Sequence, residues 1–87
     1  MVAMRGFAYF RRKLGIPIEP KMGPGAGLET LEDCAKFMGN MHRWRQARSH
    51  WEFAAELILK AAKSGRRADV DAAAGQMEHA LRCDGWL

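Results

Sequence analysis

Apolar residues recur along most of this chain at the three- and four-residue spacing of an amphipathic helix. The longest such stretch covers residues 41–64 and predicts one continuous helix. The side that we expect to face the core carries Trp44, Ala47, Trp51, Ala54, Ala55, Ile58 and Ala62. Ser64-Gly65 ends this stretch, and a second apolar stripe follows in residues 69–84, made of Val70, Ala73, Met77 and Leu81. Because the connection is short, the two stretches predict an antiparallel helical hairpin.

Two further elements are predicted before the hairpin. Thr30 followed by Asp33 is typical of a helix start, and Gly39-Asn40 either ends that helix or kinks it into the next one. Residues 1–15 predict a short cationic helix with a stripe of Ala3, Phe7, Phe10 and Leu14. Residues 16–29 are rich in proline and glycine, which disfavour regular structure, and predict a linker.

Together these elements predict an all-α fold of three to four helices in a single domain. The helical core covers residues 30–84 and is dominated by the hairpin, and residues 85–87 form an apolar tail that contains Trp86. A length of 87 residues is ordinary for one domain and leaves no room for a second.

The charge balance favours an acidic partner. The chain has 14 Lys and Arg against 10 Asp and Glu, a net charge of +4. The basic positions that we expect to be exposed and to bind a partner are Arg11, Arg12, Lys13, Arg66 and Arg67. On a continuous helix the arginines at 43, 45 and 48 point in different directions, which weakens nucleic-acid binding as a function.

Phe53 and Leu57 lie opposite the tryptophan side of the long predicted helix, so that this helix is apolar on two sides. Either the N-terminal helix covers them, or they bind another protein or a second copy of this chain. With Trp86 they are the predicted apolar anchors. The favoured hypothesis is therefore a small accessory, adaptor or inhibitor protein that binds a macromolecule, with protein as the preferred partner and nucleic acid as the alternative.

Enzymatic motifs are scarce. Arg45 and His50 have the Arg-x-x-x-x-His spacing found in HEPN ribonucleases, which gives ribonuclease activity as a further alternative. Only these two residues match, and the sequence contains no phosphate-binding loop, nucleophile elbow or paired carboxylates. We therefore expect a protein that is not an enzyme and that needs no cofactor.

Metal binding is the remaining alternative. His79 and Cys83 are one helical turn apart and could chelate zinc, with Cys34 and His42 completing four ligands. Their spacing does not resemble that of a zinc finger. The two cysteines are not in a C-x-x-C pair, and the N-terminal apolar patch is too short to span a membrane, so we expect free thiols and a cytoplasmic protein without membrane contact.

Overall fold

The computed structural model describes residues 7–25 and 27–87. Within these residues there are two strands and four helices, in the order β1 (Lys13–Ile18), β2 (Leu28–Thr30), α1 (Leu31–Gly39), α2 (Arg43–Gln46), α3 (Ser49–Ser64) and α4 (Arg67–Cys83). The strands pair antiparallel in a two-stranded sheet with an irregular register. The fold is therefore mostly helical, and the predicted all-α class is only roughly correct. In the described part of the chain, no helix has both the length and the apolar character that crossing a bilayer requires.

The predicted helical hairpin is confirmed as α3 and α4. Gly65 ends α3 in the left-handed conformation, with a φ of 66°, and its N–H donates to the Ala61 carbonyl. All four apolar residues predicted for α4 are buried: Val70, Ala73, Met77 and Leu81. On α3 the buried residues include Ala54, Ala61 and Ala62, whose small side chains let the two helices approach closely.

The predicted start and end of α1 are also confirmed. Thr30 Oγ1 accepts a hydrogen bond from the Asp33 N–H, and Asp33 Oδ2 accepts one from the Thr30 N–H, which together form a capping box. Gly39-Asn40 ends the helix and does not merely kink it. The side of α1 that faces the core buries Leu31, Cys34, Phe37 and Met38.

The predicted N-terminal helix is wrong for residues 7–15, and its first six residues lie outside the described part of the chain. Residues 8–11 form turns, and β1 begins at Lys13. These residues do not form a helix because their backbone groups hydrogen-bond to the ends of α1 and α3. The Phe10 and Arg12 carbonyls accept from the first two N–H groups of α1, while the Tyr9 N–H donates to the Ala62 carbonyl near the end of α3. A stripe of apolar residues cannot reveal these partners.

The linker predicted over residues 16–29 is wrong at its two ends, where residues 16–18 belong to β1 and residues 28–29 to β2. Ile18 at the end of β1 and Leu28 at the start of β2 are both buried. Between the strands, the chain packs over Phe37. A Cβ added to Gly23 would lie 2.6 Å from that ring, so the backbone approaches the ring more closely than a side chain would allow. The Lys21 N–H also donates to the Trp86 carbonyl, which ties this segment to the end of the chain.

The continuous helix predicted over residues 41–64 is wrong as well. The chain breaks between α2 and α3, where Arg48 is extended with φ −70° and ψ 142°. Trp51 is fully buried as predicted, but Trp44 is 58% exposed and Ala47 is also exposed. Only one of the two tryptophans in this stretch therefore belongs to the core.

Two glycine substitutions should change stability in opposite directions. Gly65→Ala forces alanine into a left-handed conformation and places its Cβ 2.7 Å from the Tyr9 ring, so we expect the free energy of unfolding to fall by about 1–2 kcal/mol. Gly75 lies inside α4 with open space around it, so Gly75→Ala should raise the free energy of unfolding by about 0.5–1 kcal/mol. Urea denaturation followed by circular dichroism measures both, and a change of the same sign in both variants would contradict the difference between the two backbone environments.

Candidate functional site

A buried carboxylate at the end of α4 is surrounded by hydrogen-bonding side chains from α2 and α3. Asp84 follows α4 as its C-cap, and its side chain is only 1% exposed. Its Oδ2 accepts hydrogen bonds from Arg45 Nη1 at 2.6 Å and from Trp51 Nε1 at 2.7 Å, and its Oδ1 lies 3.0 Å from His50 Nε2. We call this group the Asp84 cluster: Arg45, His50, Trp51 and Asp84.

The break between α2 and α3 is what allows the Asp84 cluster to assemble. On one continuous helix, positions 45 and 50 would point about 140° apart, because each residue advances the helix by about 100°. Two side chains so far apart could not both reach one carboxylate. With an extended Arg48 between the two helices, Arg45 on α2 and His50 on α3 converge on Asp84.

The electrostatic balance keeps Asp84 ionised. Burial of the carboxyl raises its pKa, but hydrogen bonds from Trp51, Arg45 and His50, together with the charge of Arg45, outweigh this and hold the pKa below its usual value. The carboxylate and the Arg45 guanidinium therefore form an ion pair at the edge of the core, with side chains 1% and 21% exposed.

Arg45 also stacks on two indoles. Its guanidinium carbon lies 4.6 Å from the centre of the Trp44 ring and 4.4 Å from that of Trp86. Trp86 is half-buried, with its ring 6.0 Å from Phe37 and 6.3 Å from Trp51 between centroids. Trp86 therefore packs the end of α4 onto the core.

The pair that matches the ribonuclease spacing is part of this cluster. Both Arg45 Nη1 and His50 Nε2 point at Asp84, whose side chain is 1% exposed, and not at the solvent. These contacts support a structural role for Arg45 and His50.

The predicted basic positions meet at the other end of the helical hairpin. An open concavity of about 520 Å³ is lined by Ala8, Tyr9, Arg11, Arg12, Lys13 and Arg67. We call it the cationic concavity, since four of its six residues are basic and, among the described residues, none of those lining it is acidic. Arg66 lies beside it as the exposed N-cap of α4. The structure thus brings together residues that are more than 50 positions apart in the sequence.

Several contacts hold this surface in place. The Tyr9 ring packs against the Gly65 backbone, and the Arg12 guanidinium lies over that ring, 5.1 Å from its centre. Arg67 donates to the Lys13 carbonyl at 3.0 Å and pairs with Asp71 at 3.3 Å. Two of the four cationic side chains are therefore positioned by the protein.

The predicted apolar anchors do not share one environment. Leu57 and Trp86 are half-buried and pack against the core, whereas Phe53 is 49% exposed. Phe53 is thus the member of the set that offers most surface to a partner.

The candidate zinc ligands are not assembled into a site. Cys83 Sγ lies 3.5 Å from His79 Nε2 on the exposed side of α4, and His42 is exposed at the start of α2. Cys34 is buried, and burial, with a smaller contribution from Asp33, raises the pKa of its thiol to about 12, so it does not supply a thiolate. Within residues 7–25 and 27–87 no group of three potential ligands could hold a metal ion.

Sequence reasoning missed the role of Asp84, although one signal was present. An acidic residue at the C-terminal end of a helix faces the negative end of the helix dipole, which is unfavourable unless a cation compensates it. The sequence pattern identifies Asp84 only as part of a helix stop. Trp44 was missed for the related reason that its orientation depends on the break in the helix.

Comparisons of this chain with protein-family models, with curated proteins and with solved structures find no match. Its geometry is therefore the basis for a functional proposal.

Asp84→Asn should destabilise the fold strongly. The amide has no charge to balance Arg45 and cannot accept the three donors as the carboxylate does, so we expect a loss of about 3 kcal/mol in the free energy of unfolding. Asp71→Asn is a matched control, because its ion pair with Arg67 is exposed and should contribute less than about 1 kcal/mol. Equal losses in the two variants, measured by urea denaturation, would show that the Asp84 cluster has no special role.

The stability contributed by Asp84 should also depend on pH. Since the pKa of Asp84 is lower in the folded than in the unfolded chain, its contribution is complete above the ordinary aspartate pKa of about 4 and is lost as the pH falls through the folded-state value. The difference in unfolding free energy between wild type and Asp84→Asn should therefore stay constant down to about pH 4 and shrink as the pH falls further, through the lower folded-state pKa. Denaturation curves at several pH values test this, and a difference that grows on acidification has the wrong sign.

Proposed function

We propose that this protein binds nucleic acid, with the cationic concavity contacting the phosphate backbone. The observation that carries the proposal is the convergence of Arg11, Arg12, Lys13 and Arg67 on one open surface. Three of the four are arginines, whose planar guanidinium groups match phosphate oxygens in a two-bond geometry. A partner with closely spaced negative charges complements such a surface.

The arrangement of the basic residues supports this partner class more than their number does. Arg12 is held over the Tyr9 ring, and Arg67 is held by the Lys13 carbonyl and Asp71. Side chains that are already positioned lose less conformational entropy when a ligand binds. The sequence pattern weakens nucleic-acid binding only for the arginines at positions 43, 45 and 48, which a continuous helix would point in different directions. None of these arginines lines the cationic concavity.

The hypothesis of a protein partner depends on apolar anchors and stays a prediction. It has less support from geometry, because Leu57 and Trp86 already pack against the core. Binding without catalysis is proposed because the Arg45 and His50 side chains hydrogen-bond to the buried Asp84, which leaves them poorly placed to act on a ligand.

Charge reversal at the concavity tests the proposal. Arg11→Glu should weaken the binding of a fluorescent oligonucleotide of about 20 nucleotides by roughly fivefold or more at about 50 mM salt, and should lower the slope of log affinity against log salt by about one. Fluorescence anisotropy between about 50 and 200 mM salt gives both values.

Lys36→Glu is the matched control for the same change in charge. Lys36 is on α1, with a side chain that is 71% exposed, and it does not line the cationic concavity. We expect it to lower affinity by less than about twofold, the effect of net charge alone. Absence of binding by the wild type at low salt, or equal losses in the two variants, would overturn the proposal.

A further inference from the structure

Trp44 is the most exposed of the three tryptophans. Its side chain is 58% exposed on α2, whereas Trp51 is fully buried and Trp86 is half-buried in contact with Phe37. A large aromatic ring left in water loses the stabilisation that burial would give it. Exposed tryptophans of this kind are enriched at binding sites.

The Trp44 ring is also held in position. Arg45 stacks on it at 4.6 Å and is itself fixed by the hydrogen bond to Asp84 at 2.6 Å and by stacking on Trp86 at 4.4 Å. Trp44 is therefore the exposed end of a stack whose other members are anchored to the core. A planar group that packs on the exposed surface of Trp44 would extend this stack without ordering a mobile side chain.

The charges around Trp44 specify what kind of planar group fits. Arg43 directly precedes Trp44, Arg48 follows it by four residues, and both are exposed. Among the described residues, neither forms an ion pair with a carboxylate. An exposed aromatic ring with cations nearby in the sequence that have no carboxylate partner is the combination by which proteins bind unpaired nucleobases together with their phosphates.

We infer that Trp44 stacks on an unpaired base, with Arg43 and Arg48 contacting the adjoining phosphates, and that the protein consequently prefers single-stranded nucleic acid to duplex. This inference rests on the proposed nucleic-acid binding and adds the strand preference. The Trp44 surface is separate from the cationic concavity. α2 directly precedes the start of α3, whereas Tyr9 in the concavity bonds to Ala62 near the end of α3, and a helix of 16 residues is about 24 Å long.

The test compares the affinity of the protein for single-stranded DNA with its affinity for duplex DNA. Anisotropy is measured on a labelled oligothymidylate of about 20 nucleotides and on a duplex of the same length. Trp44→Ala should weaken binding of the single strand by about fivefold or more, the effect of losing one stacked base, and binding of the duplex by less than about twofold. Trp44→Phe retains a stacking ring and should restore most of the single-strand affinity.

Leu59→Ala is the control, because Leu59 is a large apolar residue on α3 that is 45% exposed and lies outside this stack, and we expect it to leave both affinities unchanged. Single-strand binding should also quench tryptophan fluorescence in the wild type and much less in Trp44→Phe, since the remaining indoles are buried or half-buried. Circular dichroism establishes that the variants are folded.

The outcomes separate the inference from the proposed function. If the wild type binds neither oligonucleotide, the proposed function fails and the inference fails with it. If the wild type binds and Arg11→Glu weakens binding, but Trp44→Ala leaves single-strand affinity unchanged or weakens both forms equally, only the inference is overturned.

Discussion

The Asp84 carboxylate is the interaction on which the arrangement of this end of the molecule depends. It is a negative charge almost removed from water, at the end of a helix where the backbone dipole disfavours it. Such a charge is stable only if cationic and neutral donors surround it, and three side chains from α2 and α3 supply them. One straight helix would point these donors in different directions, and the break at Arg48 lets them converge on the carboxylate.

This break links the stability of the core to the proposed function. It turns Trp51 inward, where its N–H donates to Asp84, and leaves Trp44 outside, stacked on Arg45. The opposite end of the helical hairpin is organised by backbone hydrogen bonds, through which residues 7–13 join the ends of α1 and α3 and place Arg11, Arg12 and Lys13 next to Arg67. Both surfaces proposed to bind nucleic acid thus lie beside the end of a helix that is hydrogen-bonded to a distant part of the chain. Near the cationic concavity it is the end of α3, and near Trp44 it is the end of α4.

Predictions from the sequence were accurate where the determining contacts are local. The capping box of Thr30 and Asp33, the stop at Gly65 and the buried stripe of α4 all depend on residues within about four positions of each other, so periodicity and capping residues predict them. The predictions for residues 7–29 and for Trp44 failed because the contacts that determine their structure are with residues far away along the chain. Examples are the hydrogen bonds from Tyr9 to Ala62 and from Arg45 to Asp84. The basic positions were expected to be exposed, but their convergence follows from the β1 segment, which the sequence predicted as helix and linker.

Hydrogen exchange of the tryptophan side chains, followed by nuclear magnetic resonance, tests the central role of Asp84 most directly. The Trp51 indole N–H donates to a carboxylate that is 1% exposed, whereas the Trp44 indole is largely in water. We predict that the Trp51 indole proton exchanges the slowest of the three and that the Trp44 proton exchanges at a rate close to that of free tryptophan. If the Trp51 proton exchanges as fast as that of Trp44, the buried Asp84 cluster does not exist in solution.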